Sequence, residues 1–374
     1  MGAVGDSLRQ KRIAVCVGSG GVGKTTVAAA LGLQRALQGG RALVCTIDPA
    51  RRLAAALGLE ALGNLESRVP DHKLAAAGLS PAGQLHAMML DVKRTWDDLV
   101  ARHAPDRQRQ ERIFRNRIYQ QMSSALAGSQ EYMAMEKLYE LSTERDYDLV
   151  VLDTPPTAHA LDFLEAPDRV LDFLGNETAR MLLRPALGAG KVGLRLFQLG
   201  GSYIARTLSR FTGSDVLRDL AEFMASFQDM YEGFKTRAAA VRALLAEPQV
   251  GFVVVSSPSP LSVDEALFFH EHLHAESMPI AGVVMNRVTP DLWPDGEPPG
   301  PEAILEALGG AGEGEPALAA RLAATLQEHQ ALARTDAGQV ERLFGAVQAP
   351  RVAVPRLPHD VHDLRSLAQL ASRL

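Results

Sequence analysis

The sequence predicts an α/β protein in which helices cover both faces of a doubly wound, mainly parallel sheet. Two observations support this fold class. Short apolar runs typical of buried strands alternate with helical segments along the chain. The first apolar run, residues 13–17, leads into a glycine-rich turn and then into a helical segment over residues 26–38, which Gly39 and Gly40 end. A strand followed by a helix in this way begins a crossover to a parallel neighbour.

The glycine-rich turn spans residues 18–26 and reads Gly-Ser-Gly-Gly-Val-Gly-Lys-Thr-Thr. It matches the phosphate loop pattern G-x-x-x-x-G-K-[ST], and all fixed positions lie between a predicted strand and a predicted helix. Backbone N–H groups and the positive end of the helix dipole attract phosphates there. Lys24 is expected to reach the β- and γ-phosphates, and the Thr25 hydroxyl is expected to bind Mg²⁺. The predicted phosphate-binding residues are Gly20, Gly21, Val22, Gly23, Lys24, Thr25 and Thr26. We therefore predict a nucleoside triphosphate site rather than a turn without a ligand.

Length, charge and cysteine content limit the class of protein. A chain of 374 residues could hold one large α/β domain or two smaller ones. A net charge of −5 argues against general nucleic-acid binding, which usually leaves a basic surface. The two cysteines, Cys16 and Cys45, lie inside predicted strands and form no C-x-x-C pair. We find no signal peptide and no apolar run long enough to span a bilayer, and expect a cytoplasmic protein.

Two further strands each end in an acidic residue. The apolar run 42–47 precedes Asp48, and the run 148–152 precedes Asp153. A carboxylate at the end of a core strand near the phosphate loop can bind Mg²⁺ or orient the attacking water. For Asp48, capping of a helix that begins at Pro49 is an equal alternative on these grounds. Asp153 is predicted to hold the Mg²⁺ shell, directly or through water.

The rest of the chain completes the predicted sheet and adds two helical blocks. The further strands are predicted over residues 84–90, 251–256, 280–286 and 351–355. The helical blocks cover about 92–145 and 161–245, and we expect them to form one inserted α-helical subdomain of a single domain spanning 1–374. The second block is apolar, rich in glycine and bears methionines, which suits either a mobile lid or groove for apolar clients or close helix packing. The segment 361–374 carries an apolar stripe typical of a docked helix.

Together these motifs resemble the ArsA-like ATPases, which are deviant phosphate-loop NTPases. The family includes the arsenite-pump ATPase and the ATPase that targets tail-anchored membrane proteins. The resemblance covers nearly the whole chain: Asp48-Pro49-Ala50 resembles the first switch of the family, and residues 153–159 resemble its second. It implies ATP and Mg²⁺ as cofactors, with Thr25, Asp48 and Asp153 around the metal. It also implies that Asp48 orients and deprotonates the attacking water, with Lys24 as the second catalytic residue.

The resemblance extends to the adenine pocket. Asn286 lies where the family has an adenine-recognising asparagine, and residues 354–358 are similar to its adenine loop. Pro355 and Leu357 are the residues of that loop expected to contact the base.

Two departures from the family pattern affect the expected function. The phosphate loop of the family carries a lysine that reaches the partner's nucleotide, and Ser19 stands at this position. The resemblance then leaves a weak homodimeric ATPase, a substitute cation such as Arg51, Arg52 or Arg287, or a heterodimer with a lysine-bearing paralogue; the heterodimer is our hypothesis. The cysteines that bind metalloid, zinc or iron–sulfur clusters in relatives are missing, which disfavours metalloid transport.

We therefore expect a nucleotide-switched dimeric ATPase that handles an apolar segment of a client membrane protein and contacts membranes at most transiently. A low-turnover, nucleotide-dependent interaction subunit is the first alternative. A filament or positioning ATPase of the cell-division type is the second, and the large helical insertions disfavour it.

Overall fold

A computed structural model of the chain describes residues 3–48, 52–125, 129–154, 219, 222–223, 226, 230–294, 296–309 and 315–374. The described strands are β1 (Ile13–Val17), β2 (Arg41–Thr46), β3 (Ser67–Arg68), β4 (Gln84–Met89), β5 (Leu149–Asp153), β6 (Val250–Ser256), β7 (Ile280–Val288) and β8 (Arg351–Pro355). The described helices are α1 (Ala3–Ser7), α2 (Lys24–Leu37), α3 (Arg52–Ala56), α4 (Asp71–Ala76), α5 (Val92–His103), α6 (Arg107–Arg115), α7 (Arg117–Ala125), α8 (Ser129–Glu144), α9 (Tyr231–Leu245), α10 (Pro260–Ala275), α11 (Pro301–Ala307), α12 (Glu315–Ala346) and α13 (Leu364–Ala371).

The strands form one sheet in the order β3-β4-β2-β5-β1-β6-β7-β8. Only β3 is antiparallel to its neighbour, and the other pairs in the described sheet are parallel. β5 lies between β1 and β2, so that Asp153 pairs in register with Cys16 on one side and with Thr46 on the other. The carboxyl ends of β1, β2 and β5 therefore meet at one edge of the sheet, where ligands bind in doubly wound folds.

Both faces of the sheet are buried, as the doubly wound prediction requires. Along β1, Val15 packs into a core shared with α5, α8, α9 and α10, whereas Cys16 packs into a second core shared with α2 and α13. Successive side chains of a strand point to opposite faces, which explains why strands covered on both sides are apolar throughout. The predicted α/β fold of the phosphate-loop NTPase type is confirmed.

The predicted strands agree with the observed ones to within one or two residues at their ends. The main difference is β3, a two-residue edge strand that is not among the predicted strands. Two residues are too short to show an alternating pattern. The first predicted helical block consists of α5 to α8. The last part of the second predicted block is α9. Most of the second block lies outside the described residues, so the predicted subdomain stays a prediction.

The C-terminal helix α13 packs on α2, the helix that follows the phosphate loop. Leu367 is fully buried, and the Gln34 amide donates to the Ala371 carbonyl at 2.9 Å. Asp363 caps α13 in a reciprocal pair with Ser366. None of the helices in the described ranges combines the length and apolarity needed to cross a bilayer.

Candidate active site

The phosphate loop has the backbone that its glycines require. Gly18 has φ 147° and Gly23 has φ 98°, a region that residues with a Cβ rarely adopt. A Cβ at Gly18 would lie 2.0 Å from the Val255 carbonyl oxygen, and one at Gly23 would lie 2.3 Å from Asn286 Nδ2. The loop is therefore seated against β6 and β7, and α2 begins directly at Lys24.

The Lys24 ammonium is held over this loop. Its Nζ donates to the carbonyl oxygens of Gly18, at 2.8 Å, and of Ser19, at 2.9 Å. Burial lowers the pKa of Lys24, and the nearby Asp153 carboxylate opposes that shift. Phosphate oxygens carry negative charge and therefore accept stronger hydrogen bonds from an ammonium than neutral carbonyls do. Lys24 is thus able to exchange its carbonyl partners for the phosphates of a ligand.

Asp153 and Asp48 are connected through Thr46. The Thr46 hydroxyl donates to Asp153 Oδ2 at 2.7 Å and accepts the backbone N–H of Asp48 at 3.2 Å. Thr154, the next residue after β5, donates its hydroxyl to the Cys16 carbonyl at 2.8 Å. These bonds fix the ends of β1, β2 and β5 to one another. The two predicted switch segments, which begin at Asp48 and Asp153, are therefore joined at their first residues by hydrogen bonds.

Asp153 is fully buried, and burial raises its pKa to about 6. The hydroxyls of Thr25 and Thr46 and the charge of Lys24 oppose this increase in the pKa, whereas the charge of Asp48 adds to it. Because the folded-state pKa is above the unfolded value, the folded state binds the extra proton between about pH 4 and 6. Stability from this group is greatest at low pH and is lost as the pH rises through 6.

Asp153→Asn cannot ionise, so we expect it to be more stable than the wild type above pH 6. The expected difference is on the order of 2 kcal/mol, and it should vanish near pH 4. Urea unfolding of both proteins at pH 4.5 and 7.5, without Mg²⁺ or nucleotide, measures it. Equal stability of the two proteins at pH 7.5 would refute the raised pKa of Asp153.

The predicted residues surround a cavity of about 790 Å³, a volume typical of small-molecule sites. The predicted site residues that line it are Gly21, Gly23, Lys24, Thr25, Thr26, Asp48, Asn286, Pro355 and Leu357. Gly20 and Val22 belong to the loop without lining the cavity, and Asp153 lies buried behind it. The structure thus gathers residues from both ends of the sequence around one opening.

The donors at this cavity suit Mg²⁺. Thr25 and Asp48 present hard oxygen atoms, and Asp153 Oδ1 is buried without a hydrogen-bond partner in the described part of the chain. Mg²⁺ usually takes one or two carboxylates and completes its shell with water and phosphate oxygens. Among the described residues no group of three or more His, Cys, Asp or Glu side chains is placed to hold a metal ion. The residues fit a Mg²⁺ ion that arrives with a nucleotide.

Asn286 and Arg287 both contact the phosphate loop from the end of β7. Asn286 Nδ2 donates to the Val22 carbonyl at 2.8 Å, and its Oδ1 accepts the Arg287 backbone N–H at 3.0 Å. The Arg287 guanidinium donates to the Gly21 carbonyl at 3.0 Å. Arg287 has φ 62°, a conformation that costs a non-glycine residue about 1–2 kcal/mol. Asn286 therefore supports the loop directly, and its predicted contact with adenine stays a prediction.

Sequence reasoning missed several residues of this site. Thr46, the last residue of β2, gave no signal apart from its position two residues before Asp48. The further cavity-lining polar residues that sequence reasoning did not assign to the site are Arg356, His359, Asp360 and His362. Those after β8 could have been found from the rule that loops at the carboxyl edge of such sheets surround the ligand.

Ser19, which the resemblance places where the family carries a lysine, is buried. Ser19 is only 8% exposed, and its hydroxyl has no hydrogen-bond partner among the described residues. Of the substitute cations considered, Arg52 and Arg287 line the cavity, and Arg51 lies outside the described residues.

Comparison with known proteins identifies the family. A family model described as anion-transporting ATPase matches residues 11–297. The ATPase get3 of Aspergillus terreus and the ATPase GET3 of Kluyveromyces lactis are each 27% identical over 231 residues, which cover 58% of this chain and 64% of each relative. The ATPase GET3C of Arabidopsis thaliana is 22% identical over 299 residues, which cover 77% of this chain and 70% of that protein. The chain thus spans less than two thirds of the length of the two fungal relatives.

The matched span contains most of the site: the phosphate loop, Asp48, Asp153 and Asn286. It ends before Pro355, the last residue of β8, and before Leu357 in the loop that follows. Because the match extends over well more than half of the sequence, this chain belongs to the ArsA family of anion-transporting ATPases.

Proposed function

We propose that this protein binds ATP with Mg²⁺ and hydrolyses the terminal phosphoanhydride bond. One observation carries the proposal: Lys24, Thr25 and Asp48 face a single cavity at the carboxyl edge of the sheet, and the Asp153 carboxylate lies directly behind it. Phosphoryl transfer needs positioning and charge neutralisation more than covalent chemistry, and these groups supply both.

Each residue has a distinct part in this reaction. The loop N–H groups and Lys24 hold the β- and γ-phosphates and offset their charge. Thr25 and Asp153 would hold Mg²⁺, which neutralises phosphate charge when bound. Asp48 orients the attacking water and accepts its proton. Thr46 fixes the backbone of Asp48 relative to Asp153, so that a change at one carboxylate reaches the other.

We further propose that the active form is a nucleotide-switched dimer that handles an apolar segment of a client membrane protein. The similarity of the switch segments to those of ATPases that target tail-anchored proteins supports this function. Asp153 leads directly into residues 154–159 and then into the second helical block, so a change at the γ-phosphate has a short covalent route to the helices.

A heterodimer with a lysine-bearing paralogue is a second candidate, because the buried Ser19 offers no cation to a partner's nucleotide. Transport of a soft metalloid anion is less favoured. Such an anion needs thiolate ligands, and burial raises the pKa of the Cys16 thiol and raises that of Cys45 to about 12. The two cysteines also lie in the cores on opposite faces of the sheet.

Steady-state ATP hydrolysis by the purified protein alone tests the proposal. We expect Mg²⁺-dependent turnover that rises when a detergent-solubilised transmembrane peptide is added. A soluble peptide of the same length without apolar residues serves as the control. Tight ATP binding with negligible turnover under both conditions would favour the interaction subunit that needs a paralogue, and a protein that binds no ATP would refute the function.

A further inference from the structure

We propose that Arg287 is a phosphate-binding cation that acts on the nucleotide bound by its own chain. The inference rests on the proposed function in that it requires a nucleotide in the cavity. It goes further because it names the residue that supplies a second positive charge beside Lys24. The phosphate loop itself supplies no such charge at position 19, where the residue is serine.

The backbone conformation at the end of β7 directs the Arg287 side chain toward the phosphate loop. β7 pairs with β8 at Met285↔Ala353 and again at Val288↔Pro355, so β7 holds one residue more than β8 over this interval. Such an insertion is a β-bulge, which redirects side chains and is frequent beside active sites. Arg287 lies inside the bulge with φ 62°, and only it and Ser277 have positive φ among the described non-glycine residues.

The bulge lets two successive residues contact the same loop. In a regular strand, neighbouring side chains point to opposite faces of the sheet. Here Asn286 donates to the Val22 carbonyl and Arg287 donates to the Gly21 carbonyl. A strained residue persists where its surroundings over-determine its conformation, and such residues cluster at functional sites. The conformation of Arg287 brings a guanidinium to the phosphate loop.

The chemistry of the guanidinium favours phosphate over the carbonyl that it contacts. Arginine has five N–H donors, and in the described part of the chain the Arg287 side chain makes one hydrogen bond, to a neutral oxygen. The side chain is exposed and lines the cavity together with Lys24 and Thr25. A charged, bidentate phosphate partner gives a stronger bond than a carbonyl does. The guanidinium is therefore positioned to exchange the Gly21 carbonyl for a nucleotide phosphate.

Three substitutions separate this role from simple support of the loop. Arg287→Gly removes the side chain and relieves the strained conformation. Arg287→Gln keeps an N–H donor for the Gly21 carbonyl but removes the charge, and Arg287→Lys keeps the charge. Ser277→Gly is the matched control, because Ser277 is the other strained residue (φ 55°) and lies exposed between α10 and β7, outside the cavity.

We expect the affinity for a non-hydrolysable ATP analogue, measured by calorimetry, to fall about tenfold to a hundredfold in Arg287→Gly and in Arg287→Gln. Arg287→Lys should lie between these and the wild type. Arg287→Gly should melt at a higher temperature than the wild type although it binds worse. Ser277→Gly should also melt higher, with unchanged affinity.

The order of the variants in affinity for the ATP analogue shows whether Arg287 binds phosphate or only supports the loop. Wild-type affinity in Arg287→Gln together with a loss in Arg287→Gly would show that the residue only supports the loop, and wild-type affinity in both would equally overturn the proposal. Because the ranking is measured by binding, it is independent of turnover. A wild type that binds ATP without hydrolysing it would contradict the proposed function and leave this ranking interpretable, whereas a wild type that binds no ATP would overturn both.

Discussion

Replacing Lys24 with alanine is expected to lower the affinity for ATP by about a hundredfold. The Lys24 ammonium is the buried charge at the phosphate loop, where it bonds to the Gly18 and Ser19 carbonyls. Each charge-assisted hydrogen bond contributes about 1.5–3 kcal/mol, and Lys24 is placed to make such bonds to two phosphates. Calorimetric titration with ATP and Mg²⁺ measures the loss.

Lys11→Ala is the matched control for this variant. Lys11 also donates its ammonium to a backbone carbonyl, that of Pro248 at 2.6 Å, but it precedes β1 at the opposite edge of the sheet. Its removal should leave ATP affinity unchanged. If Lys24→Ala bound ATP as tightly as the wild type while remaining folded by circular dichroism, the cavity would not be the nucleotide site.

Asp48→Asn is expected to separate binding from chemistry. The substitution keeps the size of the side chain and the backbone bond from Asp48 to Thr46, and it removes the carboxylate that accepts a proton from water. General base catalysis contributes about a hundredfold to ten-thousandfold in rate. We therefore expect turnover to fall at least about a hundredfold, with ATP affinity within about threefold of the wild type. Phosphate release and ATP titration measure the two quantities.

The surface residue Asp71 provides the comparison for this second variant. It begins α4 and pairs on the surface with Arg68 of β3, and Asp71→Asn should change neither turnover nor affinity. Wild-type turnover in Asp48→Asn would show that another group activates the water. A large loss of ATP binding in the same variant would instead mean that Asp48 acts mainly through Mg²⁺.

The local chemistry of the site was readable from the chain alone. The phosphate loop is a contiguous motif, in which the glycines, Lys24 and Thr25 lie within a few residues of one another. The strands that lead to Asp48 and Asp153 were likewise visible, because a buried strand is an uninterrupted apolar run. These features depend on local sequence, so the sequence was sufficient to place them.

The sequence did not reveal how the end of β7 serves the site. Nothing in the run ending at Asn286 predicts that a bulge follows, or that Arg287 adopts φ 62° and reaches Gly21. The strand was accordingly predicted to end at residue 286, and Arg287 was considered only as one cation among several. A bulge is determined by the partner strand β8, more than sixty residues later in the sequence.

By itself, the sequence determined the fold class, the phosphate loop and the two acidic strand ends, because each is encoded by adjacent residues. The tertiary structure alone decided that β5 inserts between β1 and β2, which places Asp153 beside both the phosphate loop and Thr46. It also decided that the loop after β8 completes the cavity. The register of β5 with β1 and β2 arises from contacts between residues more than a hundred positions apart, and no local pattern specifies it.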